Sequence, residues 1–483
     1  MFFNSIDFAV FLPVFFIFYW FITDKNLKLQ NFLIVVASYI FYGWWDWRFL
    51  SLIMFSTLVD FFIGIKLKFA QEEKKRKILL LFSLTVNLGF LAVFKYYNFF
   101  IDNFVAVFSF FGASIKPNTL NIVLPAGISF YTFQTLSYTI DVYKRKLEPT
   151  EDFIAFSAFV SFFPQLVAGP IERATHLLPQ FYKKRHFDYV KASDGMRQIL
   201  WGLFKKVVIA DNCAVFADKI FNNSSEMSGS SLLLGAIFFT FQIYCDFSGY
   251  SDIATGTAKL FGFDLMQNFA FPYFSRDIAE FWRRWHISLS TWFRDYLYIP
   301  LGGSRGGVGK QIRNTFIIFT VSGFWHGANW TFIFWGALNA FYFLPLLLTK
   351  NNRRNLDIVA AGKFFPCPKE ILQMIITFSM TVFAWIFFRS NDMTHAFRYI
   401  VGIFSSSLFQ VPQFPERIGA FFTLLLISVF MLTEWVGREE KYALAFIRKI
   451  RNKLLRFTVY ALIVFSMGMF MPTAESPFIY FQF

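Results

Sequence analysis

The chain has 483 residues, of which 56% are hydrophobic and only 16% are charged. Because soluble globular proteins are about 25% charged, these polar residues are too few to cover a water-facing body, and the composition excludes an ordinary soluble enzyme. The net charge of +15 does not indicate nucleic-acid binding, since membrane proteins collect Lys and Arg in cytoplasmic loops and no basic domain stands apart here. The three cysteines lack the spacing of a disulfide framework or a metal site. We predict an integral membrane protein without a bound metal.

Apolar segments recur along the whole chain and predict an all-α protein, a bundle of transmembrane helices. A helix needs about 20 apolar residues to cross a hydrocarbon core of about 30 Å. Several segments are shorter or more polar than this, so we expect about 12 spans, with the remaining segments as re-entrant or interfacial helices. No linker indicates a second domain, so residues 1–483 are predicted to form one membrane domain. In chain order the segments lie near residues 6–22, 30–45, 49–65, 78–96, 99–113, 121–140, 153–170, 196–212, 231–248, 315–330, 331–349, 370–388, 419–435 and 457–472.

The basic residues predict how the chain is oriented in the membrane. Segment 6–22 lacks the basic start and the small-residue cleavage site of a signal peptide, so it is predicted to be a retained first span. Lys25 and Lys28 follow this span, and residues 66–77 carry a second basic cluster. Because basic loops stay in the cytoplasm, the N-terminus is expected outside. Basic residues also precede the last span and none follow it, so the tail at 473–483 is expected outside as well.

Residues 281–303, with the sequence FWRRWHISLSTWFRDYLYIPLGG, are the most informative stretch. Their aromatic residues recur at spacings of three and four, which predicts one aromatic face of a helix, with His286 at its edge. The segment is too charged for a lipid-exposed span and suits either an interfacial anchor or a helix that dips into a protein-lined cavity. The stripe consists of Trp282, Trp285, Leu289, Trp292 and Tyr296, and the charged residues off it are Arg283, Arg284, Arg294 and Asp295.

The second informative stretch is residues 321–329, VSGFWHGAN, where His326 lies between two glycines inside apolar sequence. On a continuous helix His326, Asn329 and Trp330 would share a face. An ionisable residue in a membrane segment is costly and is a functional-site hypothesis by default. Esterification of a hydroxyl by a thioester needs a base of near-neutral pKa, which imidazole supplies. The alternative is a structural histidine that bonds a neighbouring helix.

Other charged residues carry weaker predictions. Asp60 is expected to lie near the cytoplasmic end of its span, where it reaches Lys66 or water. The basic stretch 170–206 could bind the phosphates of a nucleotide thioester, or equally a lipid headgroup. Its basic residues are Arg173, Lys183, Lys184, Arg185, Lys191, Arg197, Lys205 and Lys206.

The two histidine motifs together resemble the membrane-bound O-acyltransferases (MBOAT), in particular the bacterial branch of alginate O-acetyltransferase-like proteins. The motifs that carry the resemblance are the stretch 281–303 and SGFWHGANWTFIFWGALNA at 322–340. PAGISFYTFQTLSYTIDVY at 125–143, FPQLVAGPIER at 163–173 and QIYCDFSGYSDIATG at 242–256 also match. The resemblance covers essentially the whole chain and implies a helical fold that encloses a tunnel.

The resemblance also implies the chemistry. His326 matches the family's catalytic histidine and His286 the second motif histidine. The donor would be acetyl-CoA from the cytoplasm, with no tightly bound cofactor, and the acceptor an extracytoplasmic polysaccharide reached through a separate SGNH-type acetyltransferase. The location would be the bacterial cytoplasmic (inner) membrane. Residues expected to line the tunnel or the substrate site are Trp282, Trp285, Arg294, Asp295, Tyr296, Trp325 and Asn329.

The C-terminal sequence FIYFQF at 478–483 resembles a terminal motif of the bacterial members. There the tyrosine, Tyr480 in this chain, is proposed to receive the acyl group and pass it on. A phenyl ester is a reactive donor, which suits a temporary carrier. The alternative is an aromatic anchor at the membrane interface.

Two rival functions remain open at this point. One is D-alanyl transfer from a carrier-protein thioester, within the same enzyme class. The other is a transporter of polysaccharide or lipid, although transporters often have paired halves and each histidine motif occurs once here.

Overall fold

The computed structural model describes residues 1–112, 119–120, 124–125, 127–167, 169–471 and 478–479. Over these residues the chain is helical and contains no β-strand. The α-helices are α1 Ile6–Ile17, α2 Leu27–Asp46, α3 Leu50–Phe69, α4 Glu73–Leu91, α5 Tyr97–Phe110, α6 Ile128–Tyr143, α7 Phe153–Ser161, α8 Phe163–Leu166, α9 Ala174–Leu177, α10 Tyr189–Phe204, α11 Asp211–Asn222, α12 Gly229–Leu260, α13 Ile278–Arg284, α14 Ile287–Phe293, α15 Val308–His326, α16 Trp330–Leu348, α17 Pro368–Arg389, α18 Met393–Ile403, α19 Arg417–Gly437 and α20 Lys453–Phe470.

Within the described part of the chain, seven helical stretches are long and apolar enough to cross a membrane. The predicted integral membrane protein with an all-helical fold is confirmed, while the expected number of about 12 spans stays a prediction. Short helices such as α13 and α14 account for segments that the sequence identified as too charged to cross. The seven stretches are Leu27–Phe69, Glu73–Phe110, Gly229–Leu260, Trp330–Leu348, Pro368–Arg389, Arg417–Gly437 and Lys453–Phe470.

The chain divides into two compact units. Unit 1 comprises Met1–Ser193 with Thr257–Met266, and unit 2 comprises Asp194–Gly256 with Gln267–Phe483. Both informative histidines fall in unit 2. Whether the chain forms one membrane domain stays a prediction.

In unit 1, Asp60 lies in the interior, which corrects the expectation that it reaches Lys66 or water. Its side chain is fully buried on α3. Asn87 Nδ2 donates to Asp60 Oδ2 at 2.8 Å and Thr139 Oγ1 to Oδ1 at 2.9 Å, and Ser83 donates as well. The carboxylate therefore joins α3, α4 and α6 through neutral donors.

The stretch 170–206 is not the continuous basic surface that its sequence suggested. In unit 1, Arg185 is buried and its guanidinium donates to Gln30 Oε1 at 3.0 Å and to Asn31 Oδ1 at 2.7 Å. In unit 2, Lys205 and Lys206 are buried in ion pairs. These cations are buried and occupied by partners within the protein, so phosphate binding by the whole stretch is not supported.

In unit 2, glycines allow the helices around these ion pairs to approach closely. A Cβ on Gly202 of α10 would meet the carbonyl oxygen of Gly249 on α12, and a Cβ on Gly256 would meet that of Gly195. Small residues at such crossings bring two backbones together. The close approach places Lys205 and Lys206, just beyond α10, beside the carboxylates of α12.

Candidate active site

Helices α15 and α16 form an antiparallel hairpin whose turn presents His326. The hairpin is tight because Gly323 and Gly327 lie against the backbone and ring of Phe332, where a larger residue would collide. Helix α15 ends at His326, and Asn329 caps α16 by accepting a hydrogen bond from the Thr331 N–H at 3.0 Å. The expectation that His326, Asn329 and Trp330 share one helix face is wrong, because the chain turns between them. His326 is buried, with only 4% of its surface exposed.

The stretch 281–303 is not one helix, which corrects the single aromatic face expected from its periodicity. Helix α13 ends at Arg284, Trp285 is extended, and α14 begins at Ile287. Between them His286 adopts a left-handed conformation with φ 44°, which is uncommon for a residue with a side chain. The break directs the His286 ring into the interior, where 1% of the residue is exposed.

Asn268 holds His286, although no motif identified in the sequence includes Asn268. His286 Nδ1 lies 3.1 Å from Asn268 Oδ1, and Ser288 Oγ donates to the same oxygen at 2.9 Å. Since an amide oxygen only accepts, Nδ1 carries the proton and Nε2 is the basic nitrogen. The backbone of Asn268 also accepts from the Ile287 N–H at 2.9 Å, and Asn268 Nδ2 donates to Ser251 Oγ at 3.2 Å. Asn268 thus fixes both the ring orientation and its tautomer.

The two histidines belong to one site. Their ring centroids are 6.4 Å apart. His326 is bordered by Trp325 at 4.9 Å and by the edges of Trp335 and Phe388, both at 5.3 Å. Burial lowers the pKa of His286, which lies outside the candidate membrane spans, so its ring is held neutral. The site therefore places a neutral His286 ring beside the buried His326 inside an apolar enclosure.

Four tryptophans pack together beside the two histidines and are called the tryptophan wall here: Trp282, Trp285, Trp335 and Trp385. Trp282 lies 5.7 Å from Trp335, and Trp285 lies 5.0 Å from Trp385, as measured between ring centroids. Trp335 and Trp385 stack at 5.4 Å and close the wall. Trp282, Trp285 and Trp325 were predicted site residues, whereas Trp335 was not singled out within the 322–340 motif and Trp385 comes from a segment that was predicted only as an apolar span. The wall thus lines the histidine site with buried aromatic rings.

The remaining predicted site residues have other neighbours. Arg294 pairs with Asp295 at 2.8 Å, and the Arg294 side chain is 59% exposed. Tyr296 packs on Trp292 with ring centroids 5.0 Å apart. Asn329 donates to the Asn391 carbonyl oxygen at 2.8 Å. None of the contacts described for these four residues reaches the histidine pair, and their roles stay predictions.

Residues 478–479 lie in the interior of unit 2. Phe478 is fully buried and its ring lies 4.3 Å from Tyr250 and 5.9 Å from Phe247. Phe247 also contacts His286, with ring centroids 4.6 Å apart and nearly perpendicular planes. Tyr480, the predicted acyl carrier, lies outside the described residues.

Several known proteins are similar in sequence to this chain over most of its length. Residues 40–389 match MBOAT, the membrane-bound O-acyltransferase family. The chain is 40% identical to the probable alginate O-acetylase of Pseudomonas aeruginosa, over 85% of this chain and 76% of that protein. It is 36% identical to the peptidoglycan O-acetyltransferase of Helicobacter pylori, over 81% of this chain and 77% of that one. Identity to the teichoic acid D-alanyltransferase of Streptococcus thermophilus is 28%, over 61% of this chain and 76% of that one.

The matched region includes Asn268, both histidines and the tryptophan wall. The family match and the apolar helices together define a class of protein, the membrane enzymes that transfer acyl groups to hydroxyls. The chain belongs to the membrane-bound O-acyltransferase family. The resemblance carried by the histidine motifs is thereby confirmed, and the enzyme class is favoured over the transporter.

Proposed function

We propose that this enzyme transfers an acetyl group from cytoplasmic acetyl-CoA to a hydroxyl outside the cytoplasm, for O-acetylation of a polysaccharide. The observation that carries the proposal is the buried pair of His286 and His326 inside an aromatic enclosure. The names of the relatives from Pseudomonas and Helicobacter support acetyl as the group transferred and a polysaccharide or peptidoglycan as the acceptor. A separate extracytoplasmic SGNH-type enzyme would complete delivery to the polymer.

The reaction in this proposal needs one base and no further reactant. His326 accepts the proton of the acceptor hydroxyl as the oxygen attacks the thioester carbonyl, forming the C–O bond. The C–S bond then breaks, and the leaving thiolate takes the proton back from His326. His286, oriented by Asn268, presents Nε2 as a hydrogen-bond acceptor beside the reacting groups. The tryptophan wall keeps water from hydrolysing the thioester.

The hairpin of α15 and α16 supports transfer between two sides. His326 ends α15, whereas the exposed cations Arg305 and Lys310 lie where α15 begins, and Arg353 and Lys363 follow the end of α16. Under the positive-inside rule this basic end faces the cytoplasm, where the donor's phosphates would bind. The same rule supports the inner membrane with both termini outside.

Tyr480 is the proposed first acceptor. Support comes from the two described residues before it, because Phe478 and Ile479 are buried and Phe478 contacts Phe247, which itself contacts His286. A phenol acetylated at this point would be a reactive ester for the next transfer.

Incubation of the purified protein with acetyl-CoA labelled in the acetyl group tests the proposal. We expect label on the wild-type chain, loss of label by about 1,000-fold or more in His326→Ala because the base is gone, and loss of chain label in Tyr480→Phe. The matched control is His186→Ala, which removes an exposed histidine and should label normally. Normal labelling by His326→Ala would contradict the proposed base, and normal labelling by Tyr480→Phe would contradict the carrier.

D-alanyl transfer is the second candidate, and the match to the teichoic acid D-alanyltransferase favours it. That relative is less similar and covers a smaller share of this chain than the acetyl-transferring relatives do. If the wild-type chain takes label from a D-alanyl carrier-protein thioester and none from acetyl-CoA, the donor is the carrier protein.

A further inference from the structure

A buried cluster of charges lies beside residue 479. Lys206 is 1% exposed as a side chain and pairs with Asp211 at 2.8 Å and with Asp246 Oδ1 at 2.9 Å. Asp246 is near the middle of α12. The other oxygen of Asp246, Oδ2, accepts a hydrogen bond from the backbone N–H of Ile479 at 2.6 Å. The two oxygens of one carboxylate thus join Lys206 to the backbone of Ile479.

The hydrogen bond is reinforced by burial of the same segment. Phe478 is fully buried and Ile479 is 1% exposed. Phe478 packs on Tyr250, one turn beyond Asp246 on α12, and on Phe247. A backbone N–H that donates to an ionised carboxylate makes a strong, directional bond, while the aromatic contacts supply affinity without direction. Together they specify both the position and the depth of residues 478–479.

We propose that Asp246, held in place by Lys206, is a docking residue that positions the C-terminal tail beside the histidine site. Phe247 contacts both Phe478 and His286, so the docked segment is one aromatic ring away from the site. The inference rests on the proposed role of the tail as acyl acceptor. Asp246 acts through the tail and does not touch the reacting atoms, so it is a positioning residue.

Fold stability alone accounts poorly for such a cluster. Burying charges is expensive, and a buried ion pair adds little stability over well-packed apolar side chains. A carboxylate that receives a chain terminus gives the cluster a use that apolar residues could not replace, because only an acceptor atom can bind the Ile479 N–H.

The neighbouring pair of Lys205 and Asp252 offers a matched control. Lys205 Nζ lies 2.5 Å from Asp252 Oδ2, and Gln198 Nε2 donates to Asp252 Oδ1 at 2.8 Å. This pair joins the same two helical segments and is also largely buried. Its described partners lie on those segments and not on the tail. Loss of either carboxylate breaks a buried ion pair, but only loss of Asp246 removes the tail's acceptor.

The experiment measures docking and acyl transfer separately in the full-length protein. Ile479→Cys is introduced together with Cys367→Ser, which removes the exposed native cysteine, whereas Cys213 and Cys245 are buried. The rate at which a polar maleimide modifies the new cysteine then reports the exposure of position 479. In Asp246→Ala we expect that rate to rise about tenfold and the initial rate of chain acetylation, measured without the added cysteine, to fall about tenfold, with KM for acetyl-CoA unchanged. Asp246→Asn, which keeps an acceptor oxygen, should give intermediate values and covers the case in which the alanine variant does not fold.

The outcomes separate the docking role from the proposed function. An unchanged maleimide rate in Asp246→Ala, or an equal rise in Asp252→Ala, would overturn the proposal, because exposure would then be absent or would reflect general loosening. Normal acetylation with an exposed tail would also overturn it. If no variant takes the acetyl label but Asp246→Ala alone exposes position 479, docking is supported and the tail's role as acceptor fails.

Discussion

The two units each bury an ionisable side chain, but they treat it differently. In unit 1, Asp60 is surrounded by the donors Ser83, Asn87 and Thr139, which come from two neighbouring helices. In unit 2, His286 is held on one side by Asn268 and faces aromatic rings and a second histidine on the other. The donors around Asp60 account for a structural role, whereas the enclosure that His286 shares with His326 is where we propose that the substrate reacts. Burial alone does not distinguish the two cases.

The largest of these effects is expected at Asn268, which holds His286 in unit 2. In Asn268→Ala the His286 ring loses the acceptor that fixes its orientation and tautomer, so we expect kcat to fall about 30-fold with little change in KM for acetyl-CoA. Steady-state release of free thiol from acetyl-CoA measures both constants. Asn268→Asp keeps an acceptor oxygen and should recover part of the loss, and Asn223→Ala, at an exposed position, is the control. A change confined to KM would assign Asn268 to donor binding.

In unit 1, Asp60 is expected to affect the stability of the protein and not its chemistry. Asp60→Ala leaves buried donors on α4 and α6 without their acceptor, so the free energy of unfolding should fall by about 3 kcal/mol. Activity per folded molecule should stay within about twofold of wild type. Thermal unfolding followed by tryptophan fluorescence, beside acetylation assays, checks both values, with Asp102→Ala as an exposed carboxylate control. Loss of activity at full stability would place a second functional site in unit 1.

The smallest effect is expected at Arg294, whose ion pair with Asp295 is exposed. Exposed ion pairs contribute at most about 1 kcal/mol, so Arg294→Ala should change KM for acetyl-CoA by less than about threefold and leave kcat unaltered. Donor titrations at low and high salt measure this. A large fall in kcat would show that the π-helical turn Arg294–Tyr298 moves against the histidine site during catalysis.

The sequence predicted the fold class, which is confirmed, and singled out His286 and His326, whose roles stay predictions, because both features leave local signals. Long apolar segments predict helices, and a histidine inside such a segment stands out. The break at His286 left no such signal, since the spacing of Trp282, Trp285 and Leu289 fits a continuous helix just as well. The backbone conformation at His286 is held by Asn268, which is 18 residues away in the sequence and contacts His286 only in the folded chain.

Lys205 and Lys206 show a second limit. A run of basic residues indicates charge but not exposure, and their acidic partners lie on another helix. The sequence predicted that these cations form a surface for phosphates. In the structure they are buried, because α10 and α12 cross closely at Gly202 and Gly249. Pairing across a helix crossing cannot be read from the order of residues along the chain.

The left-handed backbone at His286 decides which mutational probes of this position can be interpreted. An alanine there would remove the imidazole and also place an ordinary side chain in a backbone state it disfavours, so lost activity would confound chemistry with misfolding of the turn. Asparagine tolerates that state and lacks the basic nitrogen. At this position asparagine is the informative replacement, and alanine, the customary choice for a scan, reports two effects at once.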